Sequence, residues 1–388
     1  MPRLDTLDRI LADATERKAI PGIVATAADA GGVIYEGAFG RRDLTKNAPM
    51  TPDTVVWIAS MTKGITAAAA MQLVERGKLS LDAPAASVVP EIGAAKVLEG
   101  FDASGQPRLR APRRPITLRQ LLTHTAGYGY DFFNAAIAQY ETATGTPSIT
   151  TCTNAALTTP LLFDPGDRWE YGINIDWAGK MVEAVSGQRL DRYLEQNILG
   201  PLGMRDTSFK LSASQRNRLA AVHQRDAGGA LAPIEFAMPE EPEFHMGGGG
   251  LYGTAGDYLR FTRMILHDGA LDGARVLRPE TVQQMAQNHI GALEVGTIKS
   301  AIPALSNDVT LFPGISTKWG LSFVINMAAL PTGRSAGSLA WAGLANTYFW
   351  IDRARQVTGV FLSQLLPFYD TAVIDVLGKF ETEVYRSL

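Results

Sequence analysis

The chain opens on a helical rhythm: Leu4, Leu7, Ile10 and Leu11 recur at three- and four-residue spacing, which predicts a helix over 4–17. "GIVATAADAGGVIYEGAFG" then alternates about Ala30-Gly31-Gly32 and reads as an antiparallel hairpin. From Ser60 to about Leu293 the period is mostly helical. "TAAAAMQLVERG" and "TLRQLLTHTAG" each end in a glycine cap, and "DYLRFTRMILHDG" and "PETVQQMAQNH" continue the pattern. Strand-like runs return in "KWGLSFVIN", "LAWAGLANTYFWID" and "VTGVFLSQLL", and a helix over about 370–386 closes the chain. The last three runs lack crossovers long enough for parallel pairing. The expected fold class is therefore α/β in the α+β sense, with an antiparallel sheet under the terminal helices and a mainly helical insertion. Segments 1–59 and 317–388 would form the sheet domain and 60–316 the helical one, with a site between them. The stretches 91–115, 225–246 and 290–316 lack periodicity and read as long surface loops.

With 388 residues, 46% hydrophobic and 19% charged, the chain can bury a large core. A net charge of −3 gives no reason to expect a nucleic-acid or anionic-membrane partner. Arg108, Arg110, Arg113 and Arg114 lie between prolines and read as a solvated loop. The start has no apolar leader core, and "ITAAAAMQLV" is about half a membrane span. One cysteine, Cys152, excludes an internal disulfide framework and fits a reducing, cytoplasmic location; it reads as an ordinary buried thiol.

Several short patterns compete for the chemistry. "GRSAG" (333–337) matches the nucleophile-elbow pattern, but a strand-like run follows Ser335 where an elbow needs a helix, so Ser335 reads as a turn residue. "GGGLYG" (248–253) follows charges and prolines rather than a buried strand, so a close backbone approach, along a substrate wall for example, replaces a dinucleotide loop. The five histidines lack metal-binding spacing, so no metal is expected, and His124 reads as a capping or core residue.

Ser60-Met61-Thr62-Lys63 sits where "VVWIAS" runs into an alanine-rich helix. Residues three apart on a helix are neighbours, so Lys63 lies over Ser60 at a terminus carrying unpaired N–H groups. A serine hydroxyl needs a base. Bringing a lysine from about 10.4 toward neutrality costs about 4 kcal/mol, to which burial and the helix terminus contribute. An N-cap serine beside a solvated lysine explains this stretch equally well.

Tyr171, between a Pro-Gly turn and a helix, and Trp341-Ala342-Gly343, on a strand, complete a set of three motifs. Together with "LLTHTAG", "DPGDRWEYG" and "ILGPLGM" in order, they resemble the family VIII carboxylesterases. Those enzymes share the fold of class C β-lactamases and penicillin-binding proteins. "VLEGFD" and "DWAGK" also resemble fungal acyltransferases that load a statin side chain, and butanediol diacrylate-type esterases are similar. The resemblance implies a β-lactamase-like fold and a serine-dependent carboxylesterase that forms an acyl-enzyme on short-chain esters without cofactor. An acyltransferase using the same residues, or a weak β-lactamase, is the alternative; a non-catalytic ligand binder on this fold is a third.

It also implies Ser60 as nucleophile, Lys63 and Tyr171 as a coupled base pair, and the amides of Ser60 and Leu344 as oxyanion donors. Trp341 and Gly343 would contact substrate, and Tyr128, Tyr130, Phe132 and Phe133 would either form a further wall or pack in the core. Two departures stand out: Asn174 comes one residue later than the β-lactamase pattern places it, and Trp341 replaces a cation that would recognise a substrate carboxylate. Neutral esters and weak β-lactam turnover are the expectation.

Overall fold

The computed structural model describes residues 4–388; residues 1–3, part of the start scanned above for a leader, lie outside the described residues. Both termini feed one sheet. Its strands are β1 (Gly22–Asp29), β2 (Val33–Asp43), β3 (Ala48–Pro49), β4 (Thr317–Trp319), β5 (Val324–Asn326), β6 (Leu339–Gly343), β7 (Thr347–Asp352) and β8 (Val357–Leu362). They lie in the order β4-β5-β6-β7-β8-β1-β2-β3, and every pairing is antiparallel. The join between the chain's two ends is β1 against β8, with Val24 opposite Leu362 and Thr26 opposite Val360. The run "LAWAGLANTYFWID" divides into β6 and β7 around a turn at Leu344–Asn346, where Asn346 takes a left-handed φ of 58°.

Helices α1 (Leu4–Glu16), α2 (Thr62–Glu75), α3 (Leu118–Leu122), α4 (Asn174–Ser186), α5 (Ala255–Leu266) and α6 (Thr371–Ser387) frame the sheet and the site. Neighbouring strand residues point to opposite faces. Phe349 packs on Tyr258 of α5, whereas Trp350 packs on Phe380 of α6. α1 lies beside α6. The sheet is thus covered on both sides, and β7 and β8 are buried at every position. α5 comes from the middle of the chain, within the run that reads as the helical insertion, yet it packs on β7, β8 and β1.

Two sequence expectations need correction. The 91–115 stretch holds a hairpin, Val97–Phe101 against Pro107–Arg110, and 225–246 begins with a strand pair, His223–Arg225 against Leu231–Pro233. Both are short ribbons with mixed polarity, too brief to show alternation. The arginine run is partly engaged: Arg110 grips Asp164 through two hydrogen bonds of 2.9 and 2.7 Å, and Arg114 pairs with Asp167. No helix among the described residues is long and apolar enough to cross a membrane.

Candidate active site

Ser60 sits in a short 3-10 turn (Ala59–Met61) that runs directly into α2. Ala59 is held at a φ of 46°, a conformation that a residue with a Cβ adopts only at a cost of about 1–2 kcal/mol. Gly343 shows what holds it there. A Cβ at Gly343 would stand 2.4 Å from the Ile58 carbonyl oxygen and 3.1 Å from the Ala59 Cβ, so glycine lets the end of β6 press against the serine turn. Ser60 is half-buried, while every residue from Thr62 to Leu73 of α2 is buried.

Lys63 lies one turn along, fully buried, with Nζ 2.9 Å from Ser60 Oγ and 3.0 Å from the Tyr130 hydroxyl, and it donates to the Gly248 carbonyl. Burial pushes the Lys63 amine far below the usual ammonium range, and attraction to Asp176 opposes that push. Tyr171 is also within hydrogen-bond reach of Ser60. Its phenol accepts a 3.1 Å hydrogen bond from Trp341 Nε1, and the Lys63 nitrogen stands 4.7 Å from its ring centre. Burial raises the proton affinity of the phenol, while hydrogen bonds with Ser60 and Trp341 pull it back down. An amine and a phenol thus meet one serine hydroxyl, the arrangement that proton removal and return requires.

The serine faces a narrow cavity of about 40 Å³ with aromatic and aliphatic walls, among them Trp57, Phe132, Phe133, Met246, Ile298 and Phe368. Trp341, Gly343 and Leu344 line it as well. The backbone amides of Ser60 and Leu344 donate no hydrogen bond to another group among the described residues. Trp341 is more than a wall, since its indole N–H is spent on Tyr171.

The tyrosine pair divides. Tyr130 lines the serine cavity and touches Lys63. Tyr128 is not brought to the site: its ring stacks on Trp177 and lines a separate cavity of about 610 Å³. Asn174 is turned away from the serine, with Nδ2 3.0 Å from His124 Nδ1. His124 is a core residue, as expected, and its ring centre is 4.8 Å from that of Tyr171. Burial, and then the Lys63 charge, hold its imidazole well below its ordinary range. Cys152 is buried, its thiol pushed up to about 12 by burial. Ser335 lies in the turn before β6, its N–H bound to Asp352 Oδ2 at 2.8 Å, while the far end of that strand, Gly343, presses on Ile58 and Ala59 before Ser60. The glycine run is a close backbone approach: Gly249 lines the cavity and Gly248 carries the carbonyl that Lys63 holds.

Sequence reasoning did not single out Asp176. It is fully buried in the first turn of α4 and accepts the Gly248 N–H at 2.8 Å. Its signal was faint, a lone acid five residues after Tyr171.

A family model described as Beta-lactamase matches residues 7–378. Monacolin J acid methylbutanoyltransferase of Aspergillus terreus is 33% identical, over 96% of this chain and 93% of that one. Lovastatin esterase of Penicillium rubens is 32% identical over 98% of each. The unliganded structure of simvastatin synthase from Aspergillus terreus superposes with a TM-score of 0.87 at 31% identity, covering 100% of this chain and 99% of the other. On its matched span, its fold and its relatives, this chain belongs to the beta-lactamase family.

Proposed function

We propose that the protein is a serine-dependent carboxylesterase that cleaves neutral, short-chain esters through an acyl-enzyme on Ser60. The observation that carries this reading is the convergence of the Lys63 amine and the Tyr171 phenol on the Ser60 hydroxyl beneath an apolar cavity. Ser60 Oγ attacks the ester carbonyl as its proton passes into the Lys63–Tyr171 pair, which titrates as a unit. The amides of Ser60 and Leu344 receive the oxyanion; one such donor is typically worth about 10²–10³ in rate. Tyr171 then returns the proton to the departing alkoxide, and water releases the acid by the reverse path.

The substrate class follows from the walls. Among the described residues no cationic side chain lines the cavity, and the donors of Lys63 behind Ser60 are taken by its neighbours. A substrate carboxylate finds no partner there, so β-lactam turnover should be weak. The single buried thiol fits a reducing, cytoplasmic setting. Transfer of the acyl group to an alcohol is the second reading, supported by the 33% identity to a methylbutanoyltransferase.

The test compares p-nitrophenyl butyrate hydrolysis in wild type, Ser60→Ala and Ser335→Ala. Ser60→Ala should lose about 10³-fold or more, with Ser335→Ala near wild type. Retained activity in Ser60→Ala overturns the assignment.

A further inference from the structure

Asp176 is a carboxylate with no exposed surface to speak of and too few partners for its charge. Oδ1 accepts the Gly248 N–H at 2.8 Å, and Oδ2 is buried without a hydrogen-bond partner. Holding the Gly248 amide does not require a charge, because a neutral asparagine would accept that N–H equally well. A buried carboxylate ordinarily costs several kcal/mol unless another charge repays it. The candidate is Lys63, held at the same residue: burial raises the Asp176 carboxyl to about 6 even as the Lys63 ammonium draws it back down, and Lys63 Nζ donates to the Gly248 carbonyl, one peptide further along.

The geometry is tight. A Cβ on Gly248 would lie 2.6 Å from Asp176 Oδ2 and 3.0 Å from the Tyr130 hydroxyl, so only glycine fits between the carboxylate and the phenol that touches Lys63. The same Gly247–Gly248 peptide is held from its other end, since Thr66 Oγ1 donates to the Gly247 carbonyl at 2.8 Å. The Gly248 carbonyl has consequences for the amine's direction. A carbonyl can only accept, so it always takes one Lys63 N–H. When Lys63 is neutral and donates its second N–H to Tyr130, the lone pair is left for the Ser60 hydroxyl.

We propose that Asp176 is a positioning residue of this site: it fixes the Gly247–Gly248 peptide, and with it the Gly248 carbonyl that aims the Lys63 amine at Ser60, and its charge sets how readily Lys63 holds its proton. The inference rests on the catalytic reading of Ser60 and Lys63 given above.

The sign of the effect follows. Burial lowers the proton affinity of Lys63 and the Asp176 carboxylate raises it. Removing that charge lets the amine lose its proton at lower pH. Four other titratable groups facing the pair stay neutral as Lys63 titrates. His124, after α3, is held well below its ordinary value; Tyr130 and Tyr171 are raised by burial; and Cys152 is pushed up to about 12. Asp131 is the other acidic side chain acting on Tyr130, and Asp176→Asn leaves it in place.

The experiment follows the rate at which a neutral p-nitrophenyl phosphonate labels the full-length protein, as a function of pH, in wild type and Asp176→Asn. A Ser60 Oγ–P bond forms, p-nitrophenolate leaves, and the serine proton enters the Lys63–Tyr171 pair. Peptide mapping identifies the labelled residue. The midpoint of the rising limb should move down by about one pH unit in Asp176→Asn. Its plateau should fall a few-fold, because a less basic amine is a poorer proton acceptor. Kinetic effects without a midpoint shift would reduce Asp176 to a structural residue and overturn the proposal. Asp176→Ser, a smaller neutral side chain, replaces the asparagine variant if that fails to fold. Failure of both to fold, by circular dichroism, likewise overturns it in favour of a core role. Wild-type label found away from Ser60 would instead refute the catalytic reading itself.

Discussion

At the scale of single residues, the departure of Trp341 from the β-lactamase pattern changes the chemistry at Tyr171. A lysine at that position would present a cation to the substrate; the indole instead donates to the Tyr171 hydroxyl at 3.1 Å with ring centres 5.0 Å apart. That bond stabilises the phenol oxygen most when it carries negative charge, as during proton transfer. Trp341→Phe keeps an aromatic wall and removes the donor. A hydrogen bond to a charged group contributes about 1.5–3 kcal/mol, so kcat/KM for p-nitrophenyl butyrate should fall roughly 10- to 100-fold. Unchanged kinetics across pH would show that the bond has no part in the reaction. The same two residues mark how far the sequence could be read. Ser60 and Lys63 were legible as neighbours from their three-residue spacing, but that spacing suits an N-cap serine equally, and the Tyr171 and Trp341-Ala342-Gly343 motifs decided the reading. Trp341 was visible only as a wall, since nothing local says that its N–H meets a phenol 170 positions away. Asp176 was invisible for the same reason: its partner is a backbone amide 72 residues on, in a glycine run with no side chain to announce it. Tyr128 and Tyr130 were indistinguishable by composition, and only the fold turns one to the serine and the other to Trp177.

At the scale of elements, the stretch that imitates a nucleophile elbow has a structural occupation. Arg334 and Glu381 are buried at 5% and 3% exposure, and the guanidinium grips the carboxylate through two donors. Thr332 Oγ1 adds a third bond to Glu381 at 2.7 Å. Glu381 belongs to α6 and Arg334 to the turn before β6, so "GRSAG" clasps the C-terminal helix to the sheet. Removing one member of a buried pair strands the other's charge, at about 3–5 kcal/mol. Arg334→Ala should lose that much stability, read as a lower urea midpoint, while phosphonate still labels Ser60 in the folded protein. A variant as stable as wild type would show that the clasp is dispensable. Helical and strand periods identified α1, α2, α5, α6 and the β1–β2 hairpin from sequence. They missed Val97–Phe101 with Pro107–Arg110, because a ribbon of four or five residues carries too few positions for a period to show.

At the scale of the whole molecule, the two chain ends close one sheet through β1 and β8, and the end of β6 presses on the serine turn that opens α2. Ser60 therefore sits where sheet and helices meet, under walls contributed by segments as distant as Trp57, Phe133, Met246 and Phe368. Such walls bear on the choice between water and an alcohol as acyl acceptor. Water gains nothing from an apolar lining, whereas a primary alcohol gains about 0.8 kcal/mol for each methylene buried. For 1-butanol, three methylenes amount to about 2.4 kcal/mol, roughly 50-fold in favour of the alcohol. That nearly offsets the molar excess of water, on the order of 100-fold, over alcohol at about 0.5 M. With p-nitrophenyl butyrate as donor, butyl butyrate should therefore form in an amount within a few-fold of butyrate, as measured by gas chromatography. Methanol, with no methylene to bury, should give far less ester at the same concentration. Equal yields from the two alcohols would mean that the acceptor does not contact the apolar walls, and no ester from either would leave water as the sole acceptor.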